Sequence, residues 1–144
     1  MTKQELMQKL LTINGVVNEI VNKIDYIECE QINISDADLK NADDIFMSNE
    51  VARILDVLID VQGNIEYLSK PIKLEGKLFR NTYGKYEIEN TEKWYSSGCI
   101  IEYLCENDYP CWKKSSIEYN GVDYYIVADN DIDLNGLLVR TRGF

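Results

Sequence analysis

The apolar residues of this 144-residue chain change their spacing at Pro71, and that change does most to limit the possible folds. Before Pro71 they recur about every 3.5 residues, a period typical of long amphipathic helices. After Pro71 they recur at every second position, which is typical of β-strands. We therefore predict an α+β protein with two domains, an N-terminal antiparallel helical hairpin at residues 1–70 and a small antiparallel β-barrel at residues 71–144.

Two long helices are predicted in the first domain. Thr2 followed by Glu5 forms a capping-box pattern that marks a helix start. The second helix should end before Pro71, because proline disfavours helical geometry at the residue before it. The expected apolar seam of the first helix is Leu6, Leu10, Ile13, Val17, Ile20, Ile24 and Ile27, and that of the second is Met47, Val51, Ile54, Leu58, Val61, Ile65 and Leu68.

An antiparallel hairpin would bring the two seams together. In one antiparallel register, the residue numbers of each facing pair sum to 78, so that Ile20 faces Leu58. In this register the seam residues of one helix face seam residues of the other. The same register sets Gly15 against Gly63, which predicts a shared close approach or a shared bend, since each glycine costs about 1 kcal/mol of helix propensity. The alternative is a parallel homodimer through either seam.

Six short strands are predicted in the second domain. Glycine, proline, asparagine and aspartate clusters separate them at the spacing typical of sandwiches and barrels. Six strands are too few for two full sheets, so a closed or nearly closed SH3-like barrel is expected, with an OB-like barrel as the alternative. The strands are Ile72 to Arg80, Gly84 to Glu89, Cys99 to Cys105, Cys111 to Tyr119, Val122 to Val127 and Gly136 to Arg142.

The strongest turn signal lies between the fourth and fifth of these strands. Asn120 and Gly121 are the residues that best tolerate the positive φ of a type I′ turn, so a two-residue hairpin is predicted. That turn would place Glu118 opposite Asp123, which is unfavourable for like charges. We expect both carboxylates to point into water.

Composition argues against catalysis and against bound metals. The chain has no histidine, which excludes Ser-His-Asp and Cys-His arrangements and leaves the common zinc ligand sets incomplete. Its four cysteines are expected to be structural thiols. The run from Asp129 to Asp133 resembles the opening of a calcium loop, but Leu134 and Arg140 occupy the glycine and glutamate positions. We expect no enzyme activity, no cofactor and no metal.

Charge points to a protein partner. The net charge is −10, and residues 1–70 hold 13 acidic against 6 basic residues. An acidic surface disfavours direct nucleic-acid binding and favours a basic protein surface. Two interpretations stay open for the acidic residues, a solvated helical face and a carboxylate array that mimics nucleic acid. The candidate partner-binding residues are Glu28, Glu30, Asp36, Asp38, Asp43, Asp44 and Glu50.

The loop that holds most of these carboxylates could also contain local structure. Ser35 is a possible cap for a short helix from Asp36 to Lys40. Acidic residues at such a helix start are favoured by the helix dipole, which would explain their positions without any partner.

Aromatic residues in the second half offer an alternative binding surface. Tyrosine and tryptophan could stack on single-stranded nucleic acid beside basic residues, or could simply fill a thin barrel core. The residues of this alternative surface are Arg80, Tyr83, Trp112, Lys113, Lys114, Arg140 and Arg142.

Four runs of the second half, LEGKLFRNTYGKYEIE, SSGCIIEYL, PCWKKSSIEYNGVDYYIV and LNGLLVRTR, carry a family likeness. Together they resemble a small domain of unknown function from low-GC Gram-positive bacteria, often on conjugative and other mobile elements. The likeness covers residues 71–144 and not the helical half. It implies a compact β domain in a mobile-element setting and supplies no catalytic residues.

Setting and charge lead to two functional hypotheses. One is an anti-CRISPR-like inhibitor that binds a nucleic-acid-handling enzyme such as Cas9 and blocks its basic groove. The other is a non-catalytic adaptor of a mobile element, in which the barrel binds peptide or RNA. In either case we expect a cytoplasmic monomer or homodimer with no membrane contact, since no apolar run approaches the roughly 20 residues of a membrane span.

Overall fold

The chain forms two compact units, which are Met1–Ser69 and Lys70–Phe144. The structure, a computed structural model, describes residues 1–24, 26–27 and 31–144. The first unit contains two helices and a two-stranded sheet, and the second contains a six-stranded antiparallel sheet. The predicted α+β class is therefore confirmed.

The two helices of the first unit are long, as predicted. Helix α1 is Lys3–Lys23 and helix α2 is Ala42–Ser69. Between them, strands β1 (Tyr26–Ile27) and β2 (Gln31–Ile32) pair antiparallel, so Ile27 belongs to a strand and not to the helix predicted there. Nor do residues 36–40 form the short helix suggested by the sequence, because the chain makes two successive turns instead.

A capping box fixes the start of α1. The backbone N–H of Glu5 donates to Oγ1 of Thr2 at 3.1 Å, and the N–H of Thr2 donates to Oε2 of Glu5 at 2.6 Å. These bonds satisfy two of the amide groups that a helix start leaves unpaired. The predicted start is confirmed.

The helices run antiparallel, in a register close to the predicted one. Nε2 of Gln62 donates to Oδ1 of Asn18 at 2.5 Å. The residue numbers of this facing pair sum to 80, whereas the predicted register has a sum of 78. Near the other end of the pair, Ile24 at the end of α1 and Val51 and Leu58 of α2 pack against the same buried cluster. The prediction that Gly15 and Gly63 approach each other is wrong, because both are exposed and a Cβ on either would meet no heavy atom within 4 Å.

Only half of the predicted seam lies between the helices. Every second seam residue is buried or half-buried there, namely Leu10, Val17, Ile24, Val51, Leu58 and Ile65. The other seam residues whose burial the structure describes are exposed, which are Leu6, Ile13, Ile20, Met47, Ile54, Val61 and Leu68. A helix that packs against one other helix buries a single stripe of side chains. Here polar residues, Asn14 and Ser48, occupy part of that stripe. The prediction that all seam residues pair within the hairpin is wrong.

The second unit contains six antiparallel strands. They are β3 (Ile72–Arg80), β4 (Tyr86–Ile88), β5 (Ile100–Cys105), β6 (Cys111–Tyr119), β7 (Tyr124–Ile126) and β8 (Leu138–Arg142). Their order in the sheet is β4-β3-β8-β5-β6-β7. Alternate residues of these strands fill one core, and Ile88, Ile101, Ile117, Ile126 and Val139 are fully buried in it.

The sheet is not closed by hydrogen bonds, so the predicted SH3-like barrel, like its OB-like alternative, is not confirmed. The edge strands β4 and β7 nevertheless face each other through side chains. The rings of Tyr86 and Tyr124 meet edge to face with their centroids 6.4 Å apart. Nearby, Nη1 of Arg80 lies 3.6 Å from Oδ2 of Asp123. The result is a strongly curled sheet with one interior face.

The hairpin between β6 and β7 differs from the prediction. Tyr119 pairs with Tyr124, so the loop has four residues and not two, and Glu118 lies opposite Tyr125. Oδ1 of Asn120 accepts hydrogen bonds from the backbone N–H groups of Val122 and Asp123, both at 2.9 Å. This local turn competes with the type I′ geometry. The expected opposition of Glu118 and Asp123 is wrong.

Gly76 should be intolerant of any larger residue. A Cβ there would lie 2.6 Å from Cγ2 of the fully buried Ile88. We predict that Gly76→Ala lowers the free energy of unfolding of the second unit by about 1–3 kcal/mol, because the core must shift. The control is Gly143→Ala, which meets only the flexible side chain of Lys73 at 3.2 Å. Equal stability of the two variants in urea denaturation would contradict the packing described.

Candidate binding surfaces

A row of alternating charges crosses the outer face of the sheet. Glu75 on β3 lies opposite Arg140 on β8, Arg140 opposite Glu102 on β5, and Glu102 opposite Lys114 on β6. Side chains opposite each other on neighbouring strands share one face, so acid and base alternate across four strands. This row lies at the centre of the sheet.

Glu102 is the buried member of the row. Its side chain is only 6% exposed, and both of its oxygens accept charged hydrogen bonds. Nε of Arg140 donates to Oε2, and Nε of Arg142 donates to Oε1 at 2.5 Å. Arg142 also donates from Nη1 to the carbonyl of Lys70 at 3.0 Å. One carboxylate therefore orients two arginines.

The environment of Glu102 favours its charged form. Burial alone would raise the pKa of this carboxyl group, but hydrogen bonds from Arg142 and Arg140, together with their positive charges, outweigh burial and hold the pKa below its usual value of 4.5. Trp112 completes the cluster, because its ring centroid lies 4.1 Å from Cζ of Arg140.

The structure divides the alternative binding surface predicted from the sequence into two places. Arg140, Arg142 and Trp112 belong to the cluster around Glu102, and the two arginine side chains are less than one-fifth exposed. Lys113 and Lys114 are exposed on β6 but lie on opposite faces of the strand. Arg80 and Tyr83, in contrast, lie at the end of β3 and in the turn that follows it.

That turn forms one wall of an aromatic groove, which has a volume of about 240 Å³ and is lined by Asn81, Tyr83, Lys85, Glu87 and Trp94. Tyr83 is 86% exposed and Trp94 is 53% exposed, and Nζ of Lys85 lies 5.1 Å from the Trp94 ring centroid. The groove therefore presents two aromatic surfaces and a cation.

Asn81 holds the turn of the aromatic groove in shape. Its Oδ1 accepts from the backbone N–H groups of Tyr83 and Lys85, both at 2.9 Å, and its Nδ2 donates to Oε1 of Glu87 at 2.6 Å. The residues predicted for the alternative surface did not include Trp94. A β-bridge between Trp94 and Glu87 places it in the groove, and the spacing of the sequence does not reveal that pairing.

Four of the predicted acidic residues lie close together before and at the start of α2. Oδ2 of Asp44 accepts from the N–H of Asp38 at 2.8 Å, and Oδ1 of Asp38 accepts from the N–H of Lys40 at 2.9 Å. Asp36 and Asp43 are exposed. Part of this acidic cluster, defined as Asp36, Asp38, Asp43 and Asp44, therefore orders the loop, and part faces solvent.

The remaining predicted acidic residues are spread along the first unit. Glu50 pairs with Arg53 at 2.8 Å. Glu28 and Glu30 lie outside the described residues, as do Asp25 and Cys29. Farther along α2, exposed carboxylates continue at Asp56, Asp60 and Glu66.

The acidic run that resembles a calcium loop serves as a turn. Oδ1 of Asp133 accepts from the N–H of Asn135 at 2.9 Å, and this Asx-type bond orders the connection to β8. Within residues 1–24 and 32–144, no three or more histidine, cysteine or acidic side chains are placed to hold a metal ion. Neither helix has the length of uninterrupted apolar sequence needed to cross a lipid bilayer, as far as the described chain extends.

Fold and surfaces together define a small α+β protein whose helical unit precedes a curled antiparallel sheet. Residues 76–141, somewhat less than half of the chain, match the model of a domain of unknown function, DUF5348. The resemblance noted from the sequence is confirmed to that extent. No curated protein and no solved structure shows a significant match.

Removing the charge of Glu102 should destabilise the second unit. We predict that Glu102→Gln lowers its free energy of unfolding at neutral pH by about 2–4 kcal/mol, because two largely buried arginines lose their counter-charge. Glu75→Gln, on the exposed end of the same row, should cost less than about 0.5 kcal/mol.

The difference between wild type and Glu102→Gln should also depend on pH. The pKa of Glu102 is lower in the folded state, so its stabilisation is complete above its usual pKa of 4.5 and is lost as pH falls through the folded value. Urea denaturation from pH 7 to pH 3 measures this. A difference that stays constant over the whole range would contradict the ion network.

Proposed function

We propose that the protein is a non-catalytic inhibitor of the anti-CRISPR type, which places its acidic helical unit in the basic, nucleic-acid-binding groove of a partner enzyme such as Cas9. The observation that carries this proposal is the charge of α2. Between Ala42 and Ser69 the helix holds six acidic residues and one arginine, and that arginine already pairs with Glu50. The uncompensated charge favours a basic surface.

The shape of α2 suits an elongated groove. A helix of 28 residues is about 42 Å long, and its carboxylates continue from the acidic cluster at its start to Glu66 near its end. A groove that binds phosphates holds arginines and lysines with displaceable counterions, and carboxylates can bind at the same places. The resemblance of residues 71–144 to a small domain often found on mobile elements would, if it extends to the setting, place the protein where inhibitors of host defence are useful.

Neutralising the acidic cluster should weaken inhibition. We predict that replacing Asp36, Asp38, Asp43 and Asp44 together by asparagine reduces affinity for guide-loaded Cas9 by about 10–100-fold, because four charges are removed while asparagine can still accept the local hydrogen bonds. Binding of the wild type should weaken when salt is raised from about 50 to about 200 mM. Both are measured by biolayer interferometry and by DNA cleavage.

The matched control removes the same charge from the second unit. Glu89, Glu92, Glu106 and Asp108 are all exposed, and their amide variants should inhibit like wild type. An equal loss in both quadruple variants would show that net charge alone matters and not the helical unit. If the wild type neither binds nor inhibits Cas9, the choice of partner is wrong.

The aromatic groove favours a second candidate function, an adaptor that binds RNA or peptide through the sheet unit. Exposed aromatic rings beside a lysine are the arrangement on which bases stack, at about 1–3 kcal/mol per base. Tyr83 and Trp94 would supply the rings and Lys85 the cation.

Tyr83→Ala tests this adaptor role. If the groove binds single strands, the variant should bind a uridine-rich RNA about 5–100-fold more weakly than wild type, followed by tryptophan fluorescence. Tyr109→Ala is the control, because Tyr109 is equally exposed, at 86%, and does not line the groove. A proline-rich peptide serves as the second ligand. If neither ligand binds the wild type, or if both variants lose affinity alike, the groove is not the binding site.

A further inference from the structure

Each helix of the first unit exposes an apolar row. On α1 the row is Leu6, Ile13 and Ile20, and on α2 it is Met47, Ile54, Val61 and Leu68, with between 37% and 57% of each residue exposed. Members of a row are seven positions apart, so each row runs along its helix and drifts around it by only about 20° per step. These are the seam residues that the hairpin itself leaves uncovered.

The two rows lie on the same side of the hairpin. We call the buried and half-buried seam residues of each helix its inner stripe. On each helix an exposed row residue lies four positions before a residue of the inner stripe, as Ile13 lies before Val17 and Ile54 before Leu58. The rotation from the inner stripe to the exposed row therefore has the same sense on both helices. Because the helices run antiparallel and face each other, equal rotations bring both rows to one side.

The other side of α2 is covered within the unit. Ile32 of β2 packs against Ala52 and Leu55, with Ile34 beside it. Ala52 lies about 200° around the helix from Ile54, since two residues turn through about 200°. The strand pair thus covers one side of the hairpin and leaves the apolar rows on the opposite side.

The exposed apolar face is large enough for a stable interface. Val16 and Val57 lie next to the rows and are 54% and 62% exposed. Together the nine side chains present on the order of 700–800 Å² of surface, close to the ~800 Å² that each partner contributes to a standard interface. The largest apolar patch on a typical monomer is only about 300–600 Å².

The charges of the two helices indicate what covers this face. Helix α1 has three lysines against two glutamates, a net charge of +1, whereas α2 has six acidic residues against one arginine, a net charge of −5. Two copies can meet face to face with the α1 of each on the α2 of the other. That arrangement separates the two α2 helices and places each beside a helix of opposite sign.

We propose that the exposed apolar face binds a second copy of the chain and forms an antiparallel four-helix bundle with a two-fold axis parallel to the helices. In such an isologous interface each copy supplies both rows, so all of the rows become buried at once. All neighbouring helices in the bundle run antiparallel, as in up-down bundles. The apolar face is distinct from the acidic cluster, so this inference does not depend on the proposed partner.

Sedimentation equilibrium of the full chain tests the proposal. Interfaces of this size have dissociation constants of about 1 µM or lower, so a protein concentration of about 20 µM should favour the dimer. At that concentration the wild type should have twice its chain mass of 16.7 kDa. The double variant Ile13→Gln with Ile54→Gln should dissociate at least ~100-fold more readily. Its helical circular dichroism should persist after dissociation, because both residues are exposed within the hairpin.

The control is Leu11→Gln with Ile59→Gln. Both residues are 38% exposed but lie away from the two rows, so this variant should remain a dimer. A monomeric wild type at 20 µM would overturn the proposal. So would a dimer that survives in the Ile13 and Ile54 variant, or one that both variants lose equally.

Discussion

The carboxylate of Glu102 is the interaction on which the sheet unit depends most. It lies in the central strand pair, where Glu102 faces Arg140 across β5 and β8, and it also binds Arg142. Without it, two largely buried guanidinium groups would lack a counter-charge at the middle of the sheet. The same bonds hold the two arginine side chains against the sheet, where both are less than one-fifth exposed.

The sequence predicted the elements well where local chemistry decides them. The capping box at Thr2 and the bounds of β3 and β6 agree with the structure. The hairpin at Asn120 was predicted, but its loop length was not, because the asparagine side chain accepts hydrogen bonds from the N–H groups of Val122 and Asp123, which no apolar pattern reveals. The closed barrel also failed to appear, because closure depends on edge pairing between distant strands.

Long-range pairing explains what else the sequence could not supply. Glu102 and Arg140 are 38 positions apart, and nothing in their spacing links them before the strand order is known. The helical seam shows the same limit. Alternating threes and fours identified the right residues, but a pattern cannot say whether a row faces its own hairpin or another molecule. Asp43 and Asp44 lie in the first turn of α2, where the helix dipole favours acidic residues, and that placement follows from the helix start alone.

The two units differ in the kind of surface they offer. The sheet unit has an ion network around Glu102 and an aromatic groove, whereas the helical unit presents carboxylates along α2 and apolar rows on one side of the hairpin. A dimer held by those rows would display two acidic helices at once, which raises avidity for an extended basic groove without any new contact.

Hydrogen–deuterium exchange of the full chain, with and without guide-loaded Cas9, tests most directly whether the helical unit carries the binding function. We predict slower exchange in the loop and helix from residue 36 to residue 66, with no change across residues 76–141. Protection confined to the aromatic groove between residues 81 and 94, or no protection anywhere, would contradict this assignment.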